Sequence, residues 1–141
     1  MKEWMPEGFH TITPYLIVKE GEKAIAFYKA AFHAIELEKH LTPENTILHA
    51  RLKIGDSQIM LADESEEDTY SNLGSPSLGL ATSCVLYMYV EDVDSYFQKA
   101  IHLGAKSLVP VSDMFWGDRY CQLQDPFGHV WSLASHKEKI E

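Results

Sequence analysis

From Thr13 the run Thr-Pro-Tyr-Leu-Ile-Val18 is rich in strand formers, and the next segment, Glu22 to Phe32, places Ala24, Phe27, Tyr28, Ala31 and Phe32 at helical spacing. A strand is therefore followed by an amphipathic helix. The order recurs further along, with Val85–Val90 as a strand and Val93–Leu103 as a helix that Gly104 is placed to cap. Behind each helix lie three more runs of strand character. These are Ile35–Leu41, Ile47–Ile54 and Gln58–Ala62 in the first half, and Ser107–Val111, Arg119–Gln124 and Val130–Ala134 in the second. Each half reads βαβββ.

The two halves keep register. Val18 lies 72 positions before Val90, Gly55 lies 73 before Gly128, and Leu61-Ala62 lies 72 before Leu133-Ala134. An offset that barely drifts over the whole length points to an internal duplication, a stronger signal than any single propensity. Both glycines stand in the turn before the last strand of their half, where a residue tolerant of positive φ is wanted. The pattern predicts an α+β fold of two tandem modules, about 11–62 and 83–135. Between them, residues 63–82 are rich in Ser, Asn, Gly and acid groups and read as a linker over the surface. Its acidic cluster, Asp63, Glu64, Glu66, Glu67 and Asp68, lacks the Asp-x-Asp-x-Asp-Gly spacing of a calcium loop and reads as a solvated charge run.

Strand side chains alternate between faces, so the consistently apolar set is assigned to the side covered by helices. That set is Leu48, Ala50, Leu52, Ile54, Ile59, Leu61, Cys84, Leu86, Met88, Val90, Trp131 and Leu133. The opposite face then carries Thr13, Tyr15, His49, Arg51, Gln58, Met60, Val85, Tyr87, Tyr89 and Ser132. Aromatic rings with polar handles, beside groups able to orient a polar or anionic moiety, make up the usual lining of a small-molecule pocket. Closure of that face by protein contact is the competing reading.

Charge narrows the range of partners. Lys and Arg number 12 against 21 Asp and Glu, giving a net charge of -9, so the field repels nucleic acids and anionic lipid surfaces. No apolar run approaches the roughly 20 residues of a spanning helix. The start, Met1 to Glu7, lacks the basic and apolar regions of a signal peptide, so a cytoplasmic location is expected. Cys84 and Cys121 have no CxxC spacing and are expected as buried, reduced thiols.

Other candidate chemistry is sparse. Met114-Phe-Trp-Gly-Asp-Arg119 puts Phe115 and Trp116 on a loop where they can stack on a ligand, while Arg119 either clamps an anion or pairs with Asp118. His49 is a candidate to join His10 or His40 as a metal site, but the three lack a short ligand spacing such as His-x-x-x-His. His129 reads as a backbone-bonded turn residue and His136 as part of an exposed tail. No phosphate-binding Gly loop or triad-like spacing is present, which leaves nucleotide binding and nucleophilic catalysis without support.

Thr13-Pro-Tyr-Leu-Ile-Val18, Ala24-Ile-Ala-Phe-Tyr28, Tyr89-Val-Glu-Asp-Val93, Gly117-Asp-Arg119 and Asp125-Pro-Phe-Gly-His-Val-Trp131 together resemble the vicinal oxygen chelate superfamily. This is the glyoxalase, bleomycin-resistance and dioxygenase group, and the likeness is greatest to its PhnB-like, glyoxalase-like branch, from about Thr11 to Ser135. The resemblance implies a single domain over 1–141, with a curved, cupped mixed sheet and helices on its convex side. Catalytic members hold a divalent metal on the first and last strands of each half. Those positions fall here on Thr13, Met60, Val85 and Ser132, a poor ligand set, so no metal or other cofactor is expected. The expected function is metal-free binding or sequestration of a small aromatic or polar ligand. Its binding residues would be Tyr15, His49, Arg51, Met60, Tyr87, Tyr89, Trp116 and Arg119, and catalytic residues are unassigned. The alternative is a metal-dependent lyase, isomerase or dioxygenase with atypical ligands such as His49. Open sheet edges add the expectation of a homodimer.

Overall fold

A computed structural model describes residues 4–65, 74–76 and 82–137. The elements are β1 (Tyr15–Val18), α1 (Gly21–Phe32), β2 (Ile35–Leu41), β3 (Ile47–Ile54), β4 (Ser57–Asp63), β5 (Val85–Tyr89), α2 (Val93–His102), β6 (Lys106–Asp113), β7 (Asp118–Gln124) and β8 (Val130–His136). They form two compact units that part between Ser75 and Pro76. Each unit has one four-stranded sheet, ordered β1-β4-β3-β2 in the first and β5-β8-β7-β6 in the second. The first pair of each is parallel and the others antiparallel, so both sheets are mixed and each unit is a βαβββ module.

The duplication holds at the level of strand pairing. Tyr15 faces Met60 across β1 and β4, as Tyr87 faces Ser132 across β5 and β8. Arg51 faces Met60 across β3 and β4, as Gln122 faces Ser132 across β7 and β8. The helix starts match as well. Asp63, at the end of β4, accepts from the Gly21 backbone N–H at 2.7 Å and the Ile47 N–H at 2.6 Å. In the second unit Ser135 accepts from the Val93 N–H at 3.0 Å. The last strand of each module thus satisfies an orphan donor at the head of its helix. Gly55, Gly104 and Gly128 all adopt positive φ, as their turn and cap positions led us to expect.

Helix α1 buries Ala24, Ile25, Phe27, Tyr28, Ala31 and Phe32 and packs on β2, β3 and β4. The facing sheet supplies Ala50, Leu52, Ile54, Ile59 and Leu61, all buried as alternation predicts. Leu48 departs from the prediction and is exposed, because His40 pairs with His49 while Leu41 pairs with Ile47. The extra residue bulges out and Ile47 takes the core position. In the second unit α2 packs on β6, β7 and β8, above Cys121, Leu123, Trp131 and Leu133. On edge strand β5 and just past it, Leu86, Met88 and Val90 are only half-buried.

The cysteines differ from the expectation too. Cys121 is buried, and burial pushes its thiol up to about 11, whereas Cys84 is exposed just ahead of β5. Since the thiolate is the reactive form, iodoacetamide at pH 8 should alkylate Cys84 at least about tenfold faster than Cys121. Mass-spectrometric time courses showing equal rates would contradict this packing. Of the acidic cluster, Glu66, Glu67 and Asp68 lie outside the described residues, as does most of the predicted linker. Glu64 is tied down, its carboxylate accepting from the Ser75 N–H at 2.5 Å and hydroxyl at 2.8 Å.

Candidate functional site

In the second unit the face away from α2 is built around one buried carboxylate. Alternation along β5, β7 and β8 sets Tyr87, Tyr89, Asp118, Tyr120, Gln122, Ser132 and His136 on this side. Asp118 is 2% exposed, and its Oδ2 accepts from the Tyr87 hydroxyl at 2.7 Å, the Tyr89 hydroxyl at 2.9 Å and Trp116 Nε1 at 3.1 Å. Its Oδ1 takes the fourth bond, from His136 Nδ1 at 2.8 Å. Burial by itself would raise the acid's pKa, but the donors from His136, Tyr87, Tyr89 and Trp116 outweigh it and hold Asp118 at about 2. The carboxylate is therefore ionised at neutral pH. In turn burial, then the bond to Asp118, drives the Tyr87 hydroxyl far above its ordinary range, and the same bond raises Tyr89.

The chain places these groups by local means. Gly117, at φ 96°, closes a turn in which its N–H bonds Met114 O at 3.1 Å and its own carbonyl accepts from the Lys137 N–H at 2.8 Å. A side chain at this φ would be strained, and the turn delivers the Trp116 indole to Asp118. The rings form a continuous platform: Tyr87 lies 5.3 Å from Tyr89 and 5.7 Å from Tyr120, and Trp116 meets Tyr120 at 5.6 Å edge to face. Tyr87 and Tyr89 are 45% and 62% exposed, and Phe115 stands out from the turn. Below the platform Tyr120, Ser132 and Gln122 share a second network, with the two hydroxyls 2.6 Å apart and Gln122 Nε2 donating to both.

Arg119 is elsewhere. One residue past Asp118, it faces α2, where Nε and one terminal nitrogen bond Asp94 at 2.8 and 2.9 Å and the other bonds Asp113 at 3.1 Å. Those bonds raise its pKa, and the guanidinium serves as a brace between α2, β6 and β7. It does not pair with Asp118, one of the two alternatives the sequence left open. A cavity of about 370 Å³ lies at this end of the sheet, lined by Asp113, Met114, Gly117, Asp118, Arg119 and Lys137.

The first unit brings together the other four expected residues. Tyr15, Met60 and Arg51 are in register across β1, β4 and β3, and the Tyr15 and His49 rings lie 5.8 Å apart. Arg51 is engaged: Nε and one terminal nitrogen bond Glu38 at 3.2 and 3.1 Å, the other bonds Gln58 at 2.8 Å, and the guanidinium sits 5.3 Å from the Phe9 ring centre. Glu38 also bonds His40 at 2.6 Å, and that bond, followed by Arg51, lowers its pKa. His40 and His49 are cross-strand neighbours, 6.5 Å between rings. Within either unit, among the described residues, no three His, Cys, Asp or Glu converge as a metal site.

Sequence reasoning missed Asp118 and His136 as site residues. The alternation Ser132, Ala134, His136 carries the signal, but β8 runs to His136, two residues beyond the strand end predicted at Ala134. Glu38 and Phe9 are legible only through Arg51, which they hold together with Gln58 from the expected face. His129 is the expected turn residue, its N–H bonding Asp125 at 3.0 Å.

The sequence profile of the Glyoxalase/Bleomycin resistance protein/Dioxygenase superfamily matches residues 8–133. The chain belongs to this superfamily. It is 37% identical over 129 residues to Uncharacterized protein Mb0911c of Mycobacterium bovis, covering 92% of this chain and 85% of the relative. The same fold occurs in a putative 3-demethylubiquinone-9 3-methyltransferase, the PhnB protein of Bacillus cereus. There the TM-score is 0.69 at 20% identity, covering 89% of this chain and 99% of the other. It also occurs in FosX, a fosfomycin resistance protein of Listeria monocytogenes, with TM-score 0.69 at 20% identity over 94% and 96% of the two chains. The superfamily positions for metal ligands do not suit a metal here. Val85 has no donor atom, Met60 offers a thioether, Ser132 Oγ is buried and already bonded to Tyr120 and Gln122, and Thr13 offers one hydroxyl.

Proposed function

We propose that the protein binds or sequesters a small aromatic or polar ligand without using a metal. The platform of Tyr87, Tyr89, Trp116 and Tyr120, fixed in place by the carboxylate of Asp118, carries this reading. Rigid rings exposed in a face whose polar groups are already satisfied give contact area at little entropic cost, the economy on which binding sites rely. The family's bleomycin-resistance members and the fosfomycin resistance protein of like fold are named for drug resistance, which suits such a role. The weak donor set at Thr13, Met60, Val85 and Ser132 favours binding over metal-assisted chemistry.

A thermal-shift screen of small aromatic compounds should find ligands that stabilise the protein saturably. A ligand at a hundred times its Kd adds about 2.7 kcal/mol. Tyr87→Ala and Trp116→Ala should each remove most of that stabilisation. Hits indifferent to both changes would remove the platform from the site. A screen without hits, together with elemental analysis finding one tightly held divalent metal per chain and a rate that depends on it, would replace this reading with a metal-dependent lyase, isomerase or dioxygenase.

A further inference from the structure

Every polar hydrogen that the platform could offer at its centre is turned inward. The Tyr87 and Tyr89 hydroxyls and the Trp116 N–H all donate to Asp118. His136 donates from Nδ1 to the same carboxylate. What remains outward is of one kind, ring faces and phenolic lone pairs, with the Tyr87 oxygen also receiving the Trp116 N–H at 3.4 Å. A phenol that donates to a carboxylate gains electron density, which strengthens both its oxygen as an acceptor and its ring as a partner for cations. The nearest arginine does not offset this, since Arg119 faces α2 and is held by Asp94 and Asp113. Lys137, the other cation nearby, lines the cavity at the end of the sheet and also acts electrostatically on Asp94.

From this geometry, and resting on the binding role proposed above, we infer that the platform selects a flat organic cation bearing N–H donors, of the amidinium, guanidinium or protonated heteroaromatic class. Such a ligand stacks on the rings and donates to the phenolic oxygens. A neutral ligand of the same shape gains only the stacking, and an anion meets lone pairs and the buried charge of Asp118. The net charge of -9 acts in the same direction at longer range.

Benzamidinium, benzamide and benzoate share one ring and differ in charge, so they separate selection from simple stacking. Calorimetric titration should give benzamidinium at least tenfold tighter binding than benzamide, with benzoate weakest. The Trp116 indole N–H resonance should shift on binding. Asp118→Asn should cut the preference to threefold or less. If that variant does not fold, Trp116→Leu, on the turn, should weaken benzamidinium at least tenfold while leaving the circular dichroism spectrum unchanged. Equal affinities for the three probes, with the Trp116 resonance moving, would overturn the cation selectivity and leave the binding role standing. No binding by any of them would also overturn it, while the binding role would still be decided by the thermal-shift screen.

Discussion

Asp118→Ala is expected to lower stability by about 3–5 kcal/mol, because four hydrogen bonds to a charged acceptor are lost at roughly 1 kcal/mol or more each. The change strands four donors that now meet at one carboxylate and opens a void beneath the rings. Tyr87, Tyr89 and His136 have exposed surface and regain water, so the figure should fall near the lower end. Urea unfolding followed at the Trp116 and Trp131 indoles, both in the second unit, would measure it. A loss under about 1 kcal/mol would mean the carboxylate is not the organising group.

The same residue sets a pH dependence. Asp118 titrates near 2 when folded, against an ordinary value of 3.8, so the unfolded chain takes up its proton first as the medium is acidified. Its contribution is therefore complete above about pH 5, declines below pH 4 and is gone once pH has fallen through about 2. The stability gap between the native chain and Asp118→Asn should narrow over that range. A gap that stays constant from pH 6 to pH 2.5 would show that the carboxylate does not hold its lowered pKa.

The second large effect is expected at the head of α1. Asp63→Ala should cost about 2–3 kcal/mol, since it leaves the Gly21 and Ile47 N–H groups without their charged acceptor. The counterpart in the other module, Ser135→Ala, should cost only about 1 kcal/mol, because a neutral hydroxyl serves a single helix donor. It also forfeits a bond from Ser135 to the Val90 carbonyl at 2.7 Å. Chemical denaturation of the two variants compares them directly, and an equal or reversed order would refute the charge argument. Gly21 cannot help by repacking, since a Cβ there would run into the Ile47 and Asp63 side chains.

Most of the scaffold was legible in the chain. The apolar alternation along Ala50, Leu52, Ile54, Ile59 and Leu61 predicted their burial, and the 72-residue offset anticipated matching strand pairs in the two modules. Both signals are local or strictly periodic, so they survive without knowledge of the partner strand. The exceptions arise where pairing overrides period. The bulge at Leu48 is set by how β2 meets β3, and the exposure of Cys84 and the half-burial of Met88 belong to β5's place at the edge of its sheet.

The site divides in the same way. Tyr87 and Tyr89 could be singled out from residue type and face, and Trp116 from its place in a loop, because rings with polar handles beside polar groups suit a pocket lining. Asp118 and Arg119, adjacent in sequence, looked like a pair. Only the pleat, which sends them to opposite faces, reveals that one gathers four donors and the other braces a helix. The sequence by itself determined the duplicated βαβββ plan and which face would be aromatic, since period and composition are properties of each segment alone. The tertiary structure decided which polar groups satisfy one another, because hydrogen-bond partners 18 to 31 residues apart meet only when β5, β7 and β8 lie side by side.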